Sequence, residues 1–379
     1  MDDNIDLIVG SPVTGKDFFG RQEELERALA LIEHNNLMLA APRRVGKTSF
    51  ARKLIELERA KGWNAIFMDL ENISDTSEFL KLFKEELLGL PSVASSKKLA
   101  ERVKALLPSE VSVSVKGIST KASFKDWQSD QFTILTDILN SMDAHVLIVF
   151  DELTVLLESL LAAGENDAKT FLNLLRALRQ ATSGRCSWLI CSSVGVRNFA
   201  NMHRLSDTLN DIVDFDLGAY RDEEAKGLLA ALCQSQGISM DDAQANYLLR
   251  KIGWNIPFFI QLLVYYLPKG EVGANAIDAT YERVVKTGAF DTWSERLAKE
   301  YGANEAAAKE VLAYLSLSRE GKSKDTIYNY VLTTAPTFPK DRLSLLLRAL
   351  ETDGYIVREK ESYRFRSPLL RDYWKYTFA

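Results

Sequence analysis

Residues 41–48, APRRVGKT, combine a tight turn with a lysine and a hydroxyl, and such groups together bind the phosphates of a nucleotide. They form a P-loop pattern in which Ala41 replaces the first glycine. Lys47 is expected to reach the β- and γ-phosphates, and Thr48 to offer its hydroxyl to Mg²⁺. Gly46 lets the backbone pass close to the phosphates. We therefore predict a nucleotide-binding segment made of Ala41, Pro42, Arg43, Arg44, Val45, Gly46, Lys47, Thr48 and Ser49.

A second motif is the apolar run 146–150, which ends in Asp151 and Glu152. Continuous apolar sequence is typical of a strand that is buried on both faces, and ligands bind at the carboxyl ends of such strands. Asp151 is expected to hold Mg²⁺, and Glu152 to orient the attacking water. Together the two motifs predict Mg²⁺-dependent binding of ATP or GTP. They also predict hydrolysis, with Lys47 and Glu152 as catalytic groups.

The elements that must position these groups follow from apolar periodicity. Apolar runs predict five strands, and helical spacing separates them, for example over 49–60. Such alternation predicts an α/β fold with a doubly wound parallel sheet. The predicted strands span residues 37–40, 65–70, 146–150, 187–193 and 212–217.

Several further residues are candidates for contacts with the nucleotide. Ser192 and Ser193 end the fourth strand, and a polar group there is expected near the γ-phosphate. Arg204 is a candidate arginine finger and Arg197 its competitor, while a surface arginine without a catalytic role is the alternative for either. Phe18-Phe19, upstream of the first strand, predict a purine contact or, equally, an apolar anchor for the helix over 22–33.

Composition limits the class of protein. The chain has 379 residues, 46% of them hydrophobic, and a net charge of −5, so it is long enough for two or three domains and is not a general polyanion binder. Its three cysteines lack metal-ligand spacing and favour a reducing compartment. No apolar stretch is long enough to span a bilayer, and the first residues lack a signal-peptide core. A cytoplasmic protein without membrane contact is expected.

The segment near 109–125 alternates apolar and polar residues around Gly117 and predicts a hairpin excursion from the sheet. It is either a contact for a partner or DNA, or a decoration. Beyond residue 220, helical spacing predicts three helices over 221–235, 241–251 and 257–267, with Pro257 at a helix start. These form a predicted helical lid.

The last part of the chain predicts three helices, 304–317, 324–331 and 340–352, and then two short strands, 355–359 and 362–366. That order is typical of a winged helix. Residues 340–379 carry nine basic and six acidic side chains, a thin excess for neutralising phosphates. The third helix has an apolar stripe that is expected to be buried, made of Leu345, Leu346, Leu347 and Leu350.

With these motifs, the chain resembles the archaeal-type ATPase family of the STAND branch of AAA+ P-loop proteins. The resemblance rests on DFFGR (17–21), PRRVGKTS (42–49), LIVFDE (147–152), the serine-tipped strand 189–193, GWNIPFF (253–259) and YRFRSPLLRDYW (363–374). It covers nearly the whole chain and implies an AAA+ nucleotide-binding domain (1–217), a helical lid (218–295) and a winged-helix domain (296–379). It also implies that Pro257 packs near the adenine.

Three functions of different class follow from these expectations. The first is a Mg²⁺-dependent ATP-binding and hydrolysing switch that controls a partner protein or acts by self-association. The second is a DNA-associated ATPase that uses the winged helix, which the mixed charges do not favour. The third is a nucleotide-binding scaffold without turnover, against which Glu152 argues.

Overall fold

A five-stranded parallel sheet lies at the centre of the amino-terminal part of the chain. The computed structural model describes residues 4–106, 121–192 and 196–379, and the sheet order is β2-β3-β4-β1-β5. The strands are β1 (Asn36–Ala40), β2 (Asn64–Asp69), β3 (Val146–Asp151), β4 (Cys186–Ser192) and β5 (Ile212–Asp216). All five predicted strands and the α/β fold class are confirmed. β3 and β4 are buried along their whole length, which explains their uninterrupted apolar sequence.

Helices cover the strands and supply the core. They are α1 (Gln22–Ile32), α2 (Lys47–Ala60), α3 (Thr76–Leu88), α4 (Pro91–Ala94), α5 (Lys97–Ala105), α6 (Lys121–Asn140), α7 (Leu153–Ala163), α8 (Glu165–Ala181) and α9 (Val196–Met202). Aromatic rings dominate the core between α3, α8 and the sheet. Phe79 packs edge-on against both Phe150 and Phe171, at 5.4 and 4.9 Å between ring centroids. Truncating such a ring costs about 3–5 kcal/mol of stability, so this face fixes β3 firmly.

The carboxyl-terminal part is mainly helical. Its helices are α10 (Asp222–Gln236), α11 (Asp242–Ile252), α12 (Pro257–Tyr266), α13 (Ala274–Val285), α14 (Asp291–Glu300), α15 (Glu305–Ser316), α16 (Lys324–Thr334), α17 (Lys340–Thr352) and α18 (Pro368–Phe378). A three-stranded sheet of order β8-β10-β9 is formed by β8 (Lys322–Ser323), β9 (Ile356–Glu359) and β10 (Ser362–Phe365). Two short strands, β6 (Ile238–Ser239) after α10 and β7 (Gly270–Glu271) after α12, form a parallel pair.

Two sequence predictions are wrong. The second strand of the hairpin predicted near 109–125 was expected over 120–124, but α6 begins at Lys121, and residues 107–120 lie outside the described chain. The helix buries Phe132, Leu135, Ile138 and Leu139, whose helical spacing overrides the local alternation. In α17, Leu345 is 67% exposed, whereas Leu346, Leu347 and Leu350 are buried as expected.

The chain forms two compact units that are interleaved in sequence. The sheet unit consists of residues 22–40 and 47–217, and the helical unit of residues 1–21, 41–46 and 218–379. The loop 41–46 therefore packs with the helical unit, although the strand before it and the helix after it belong to the sheet unit.

Candidate functional site

The hydroxyl of Thr48 and the carboxylate of Asp151 meet at the carboxyl edge of the parallel sheet. Thr48 Oγ1 donates a hydrogen bond of 2.7 Å to Asp151 Oδ2. Lys47, the first residue of α2, is 7% exposed, and its charge acts on Asp151. Because β3 ends at Asp151 and α2 begins at Lys47, a strand end and a helix start create this meeting point. The two motifs predicted from sequence are thus brought together in space.

Asp151 is held in conditions that disfavour its charge. The side chain is 5% exposed, and burial, reinforced by the nearby charge of Glu152, raises the pKa of Asp151 to about 6. Its Oδ1 atom is buried and has no hydrogen-bond partner among the described residues. A carboxylate oxygen in that state is a suitable ligand for a cation, which would restore the lost solvation.

The donor set fits Mg²⁺ rather than a metal caged by protein. Thr48 and Asp151 offer oxygen ligands, and Mg²⁺ usually takes one or two such groups together with water and phosphate oxygens. Within the described chain, no group of three or more His, Cys, Asp or Glu side chains could hold a metal by itself. The residues therefore fit a cation whose remaining ligands come from a bound nucleotide.

Glu152 follows Asp151 in a left-handed backbone conformation, with φ of 54° and ψ of 39°. Such a conformation costs a residue other than glycine on the order of 1 kcal/mol, and such residues cluster at functional sites. Glu152 is also the residue before α7. On the neighbouring strand, Ser192 Oγ lies 2.7 Å from Thr154 Oγ1 and is 1% exposed. Ser193 lies outside the described residues.

Within the helical unit, the loop 41–46 is held by side chains from distant parts of the chain. Arg44 has a left-handed φ of 67°, its guanidinium lies 4.4 Å from the ring centroid of Phe258, and it donates to the carbonyl of Gly10 at 3.4 Å. Pro257, at the start of α12, places its Cγ 3.9 Å from where a Cβ on Gly46 would lie. Pro257 is therefore close to the loop glycine.

Arg21 contacts this loop, and sequence reasoning does not assign it to the site. It is 2% exposed and donates to the carbonyl of Val45 at 3.2 Å and to that of Gly218 at 2.8 Å. Its guanidinium also lies 4.4 Å from the ring centroid of Tyr220. The DFFGR motif marks Arg21 in the sequence, but its partners at 218–220 are too distant along the chain for any local pattern to reveal.

The two phenylalanines of that motif have different surroundings. The carbonyl of Phe19 accepts a hydrogen bond of 2.8 Å from the hydroxyl of Tyr220, and its ring lies against Gly227 of α10, 2.9 Å from an added Cβ. Phe18 is half-buried beside the short 3₁₀ turn Gly15–Asp17. The ring of Phe19 therefore packs on α10, and both the purine contact and the anchoring of the helix over 22–33 stay predictions.

The two candidate arginine fingers are in different states. Arg197 donates to Asp214 Oδ1 at 2.5 Å and to the carbonyl of Ile212 at 2.6 Å, so it fastens α9 to the edge strand β5. Arg204 is exposed and has a left-handed φ of 57°. Since Arg197 has a structural role, Arg204 is the better placed of the two for a group outside the chain.

No protein-family model and no curated protein sequence matches this chain. A Walker-type ATPase of Pyrococcus abyssi has a similar structure, with a TM-score of 0.68, 18% identity, and coverage of 97% of this chain and 99% of that one. The ORC2 protein of Aeropyrum pernix, in its ADPNP–ADP complexes, gives a TM-score of 0.56 at 14% identity, covering 94% and 92% of the two chains. At these identities the likeness establishes the fold: a P-loop NTPase sheet followed by a helical carboxyl-terminal part.

No helix of the described chain is both long and apolar enough to cross a membrane.

Proposed function

We propose that this protein is a Mg²⁺-dependent ATPase that works as a switch and controls a partner protein. The observation that carries the proposal is the pairing of Thr48 with Asp151 at 2.7 Å, next to a buried carboxylate oxygen without a partner among the described residues. Thr48 donates to one carboxylate oxygen only, and the second oxygen stays available to a cation. The likeness to a Walker-type ATPase supports the same activity.

The residues at the carboxyl edge of the parallel sheet are proposed to have different roles. The loop amides from Ala41 to Gly46 and the start of α2 bind phosphates, and Lys47 compensates their charge in a site with little water. Thr48 and Asp151 hold Mg²⁺, which supplies charge compensation when bound. Glu152 orients and polarises the attacking water, and its strained backbone fixes the carboxylate's direction. Ser192 orients groups near the γ-phosphate, and Arg204 acts from an exposed position.

The adenine is proposed to bind within the helical unit, beside Pro257 and the segment containing Phe18 and Phe19. Pro257 supports this because it lies next to the loop glycine Gly46. Phe19 holds this segment in place, because its ring packs against Gly227 and its carbonyl accepts a hydrogen bond from Tyr220. We propose a nucleotide-binding domain (1–217), a lid (218–295) and a winged helix (296–379). In this division Pro257 belongs to the lid, so the lid contributes the contact with the adenine.

The carboxyl-terminal module, residues 305–379, is proposed to be a winged helix that contacts protein rather than DNA. Several of its basic side chains are paired internally: Arg364 with both oxygens of Glu359, Arg358 with Glu361, and Lys340 with Asp325. An arginine already paired with a carboxylate gains less from a phosphate. Leu345, exposed in the middle of α17, is an apolar group suited to a protein surface.

The test is calorimetry of ATP and ADP binding with Mg²⁺, followed by turnover of the wild type and of Glu152→Gln. We expect binding by both forms and a decrease in kcat of about 10²-fold or more in the variant, because the group that positions water is lost. Glu158→Gln, on the exposed face of α7, is the matched control and should keep wild-type turnover. Equal turnover in Glu152→Gln and wild type removes Glu152 from the mechanism. Binding without turnover in the wild type would favour a scaffold.

A further inference from the structure

The turn Asp353–Gly354, between α17 and β9, contacts the loop 41–46 within the helical unit. Gly354 has a φ of 85°, and a Cβ added to it would lie 2.7 Å from the Cβ of Pro42 and 2.8 Å from the ring of Trp254. Real Cβ atoms essentially never come so close, and a proline ring cannot swing away as a long side chain can. The second residue of the loop is therefore packed directly against the backbone of Gly354.

Asp353 makes the same turn a neighbour of the two loop arginines. It is 4% exposed, and its Oδ2 accepts a hydrogen bond of 2.5 Å from Tyr301. Arg43, Arg44, Asp353 and Tyr355 line a cavity of about 10 Å³, the size of a single water. Half-buried Arg43 and Arg44 and the buried carboxylate of Asp353 gather around this small space, so loop and turn have little room to move independently.

The turn itself is fastened to its surroundings. The backbone N–H of Gly354 donates to Glu351 at 3.1 Å and that of Tyr355 donates to Leu350 at 3.0 Å. The hydroxyl of Tyr355, which is 1% exposed, donates to the carbonyl of Trp293 at 2.6 Å. A displacement of the loop at Pro42 would therefore be resisted by α14, α17 and β9 together.

We propose that the Asp353–Gly354 turn positions the phosphate-binding loop, so that nucleotide occupancy and the packing of the carboxyl-terminal module are coupled. This inference rests on the proposed nucleotide binding by the loop. The amides of residues 41–46 bind phosphate only in one backbone arrangement, and the contact between Pro42 and Gly354 keeps the loop in that arrangement. Coupling of this kind is reciprocal, because whatever stabilises the loop for the nucleotide also stabilises the turn.

The experiment compares Mg²⁺-ADP affinity, by calorimetry, in the wild type and in Gly354→Ala. The expected result is at least a tenfold loss, since the added methyl group pushes against Pro42. Gly270→Ala is the matched control: Gly270 has a φ of 89° in the same unit, but nothing lies within 4 Å of its added Cβ. It introduces the same backbone strain without the contact and should bind ADP like the wild type. In Gly354→Ala, the further change Pro42→Gly removes the nearer of the two clashing side chains, leaves that of Trp254, and should restore part of the lost affinity.

A second measurement addresses the turn in the unaltered protein. Hydrogen exchange of residues 350–358 should slow when ADP binds to the wild type, and should not respond to ADP in Lys47→Ala. A merely structural turn would exchange at the same rate with and without ADP, and that result overturns the inference even if Gly354→Ala fails to fold. Equal affinities in Gly354→Ala and Gly270→Ala overturn it as well. A wild type that binds no ADP instead removes the proposed function.

Discussion

The carboxyl edge of the sheet and the β9–β10 hairpin differ in how their charged side chains are paired, and the pKa of a carboxyl group is raised in the first and lowered in the second. At the sheet edge, Asp151 and Glu152 are adjacent, Asp151 is buried, and burial raises its pKa. In the hairpin, Arg358 and Arg364 each face a glutamate of the same hairpin, and Arg364 lowers the pKa of Glu359. At the sheet edge, Asp151 keeps a buried carboxylate oxygen without a hydrogen-bond partner among the described residues, whereas both hairpin arginines have a carboxylate partner. Counting charges along the sequence does not reveal this difference, because both segments are rich in basic residues: Arg43, Arg44 and Lys47 precede or begin α2, and Arg358, Lys360, Arg364 and Arg366 lie in the hairpin.

The largest expected effect is at the lysine that serves the sheet edge. Lys47→Ala should weaken ATP binding by at least about 10²-fold, because it removes the charge that compensates the phosphates in a buried loop. Calorimetry measures this directly. Lys53→Ala changes a lysine of the same helix that pairs with Glu56 and should bind ATP normally. Unchanged affinity in Lys47→Ala would end the P-loop assignment.

The uncompensated state of Asp151 predicts a stability effect with a defined pH dependence. Since the folded pKa is about 6 and the ordinary value is 3.8, the folded protein binds the extra proton between these two values. Stability is therefore lost as the pH rises through that window. Asp151→Asn should stabilise the protein in EDTA above pH 6 by at most about 3 kcal/mol, and the gain should vanish below about pH 4. Thermal unfolding at several pH values measures it.

Asp143→Asn serves as the control for this variant. Asp143 is exposed in the segment between α6 and β3, so its replacement should leave the melting temperature nearly unchanged. A destabilised Asp151→Asn at neutral pH would contradict the view that the charge is uncompensated. The same variant should lose Mg²⁺-dependent turnover, and stability and function would then move in opposite directions.

A smaller effect is expected at the lid. Pro257→Gly should weaken ADP binding several-fold, because glycine adds backbone freedom that binding must remove. Calorimetry of the ADP complex is the measurement. Pro339→Gly, just before α17, makes the same exchange at another helix start and should leave ADP affinity unchanged. If Pro257→Gly binds ADP as tightly as the wild type, the adenine lies elsewhere.

The smallest effect tests the hairpin. Glu359→Gln frees Arg364 from its partner and should strengthen binding of a fluorescent duplex by roughly threefold, since exposed ion pairs are weak. The salt dependence should steepen by about one phosphate contact. Wild-type binding is expected to be weak at physiological salt. Tight binding that disappears in Arg342→Ala or Arg364→Ala would instead favour the DNA-associated ATPase.

The sequence predicted features that depend on residues close together in the chain, such as the strands and the ends of the two motifs. The five strands are confirmed because each is a short apolar run, and Thr48 meets Asp151 because both motifs end at one edge of a parallel sheet. The contacts of Arg21 with Gly218 and of Pro42 with Gly354 join residues far apart in the chain, and periodicity carries no information about them. The strand expected over 120–124 was wrong because alternation over five residues is weaker evidence than helical spacing over the twenty that follow Thr120.

The interleaving of the two units has a consequence for how such a chain can change over generations. A fragment ending at Leu217 would keep all five parallel strands and still lose Pro257, Phe258 and Gly354, which are neighbours of the loop 41–46. Recombination that replaced residues 218–379 with those of a distant relative would also need matching side chains at 42–45. We therefore expect the loop and the carboxyl-terminal half to change together, although residues 47–217 between them belong to the other unit.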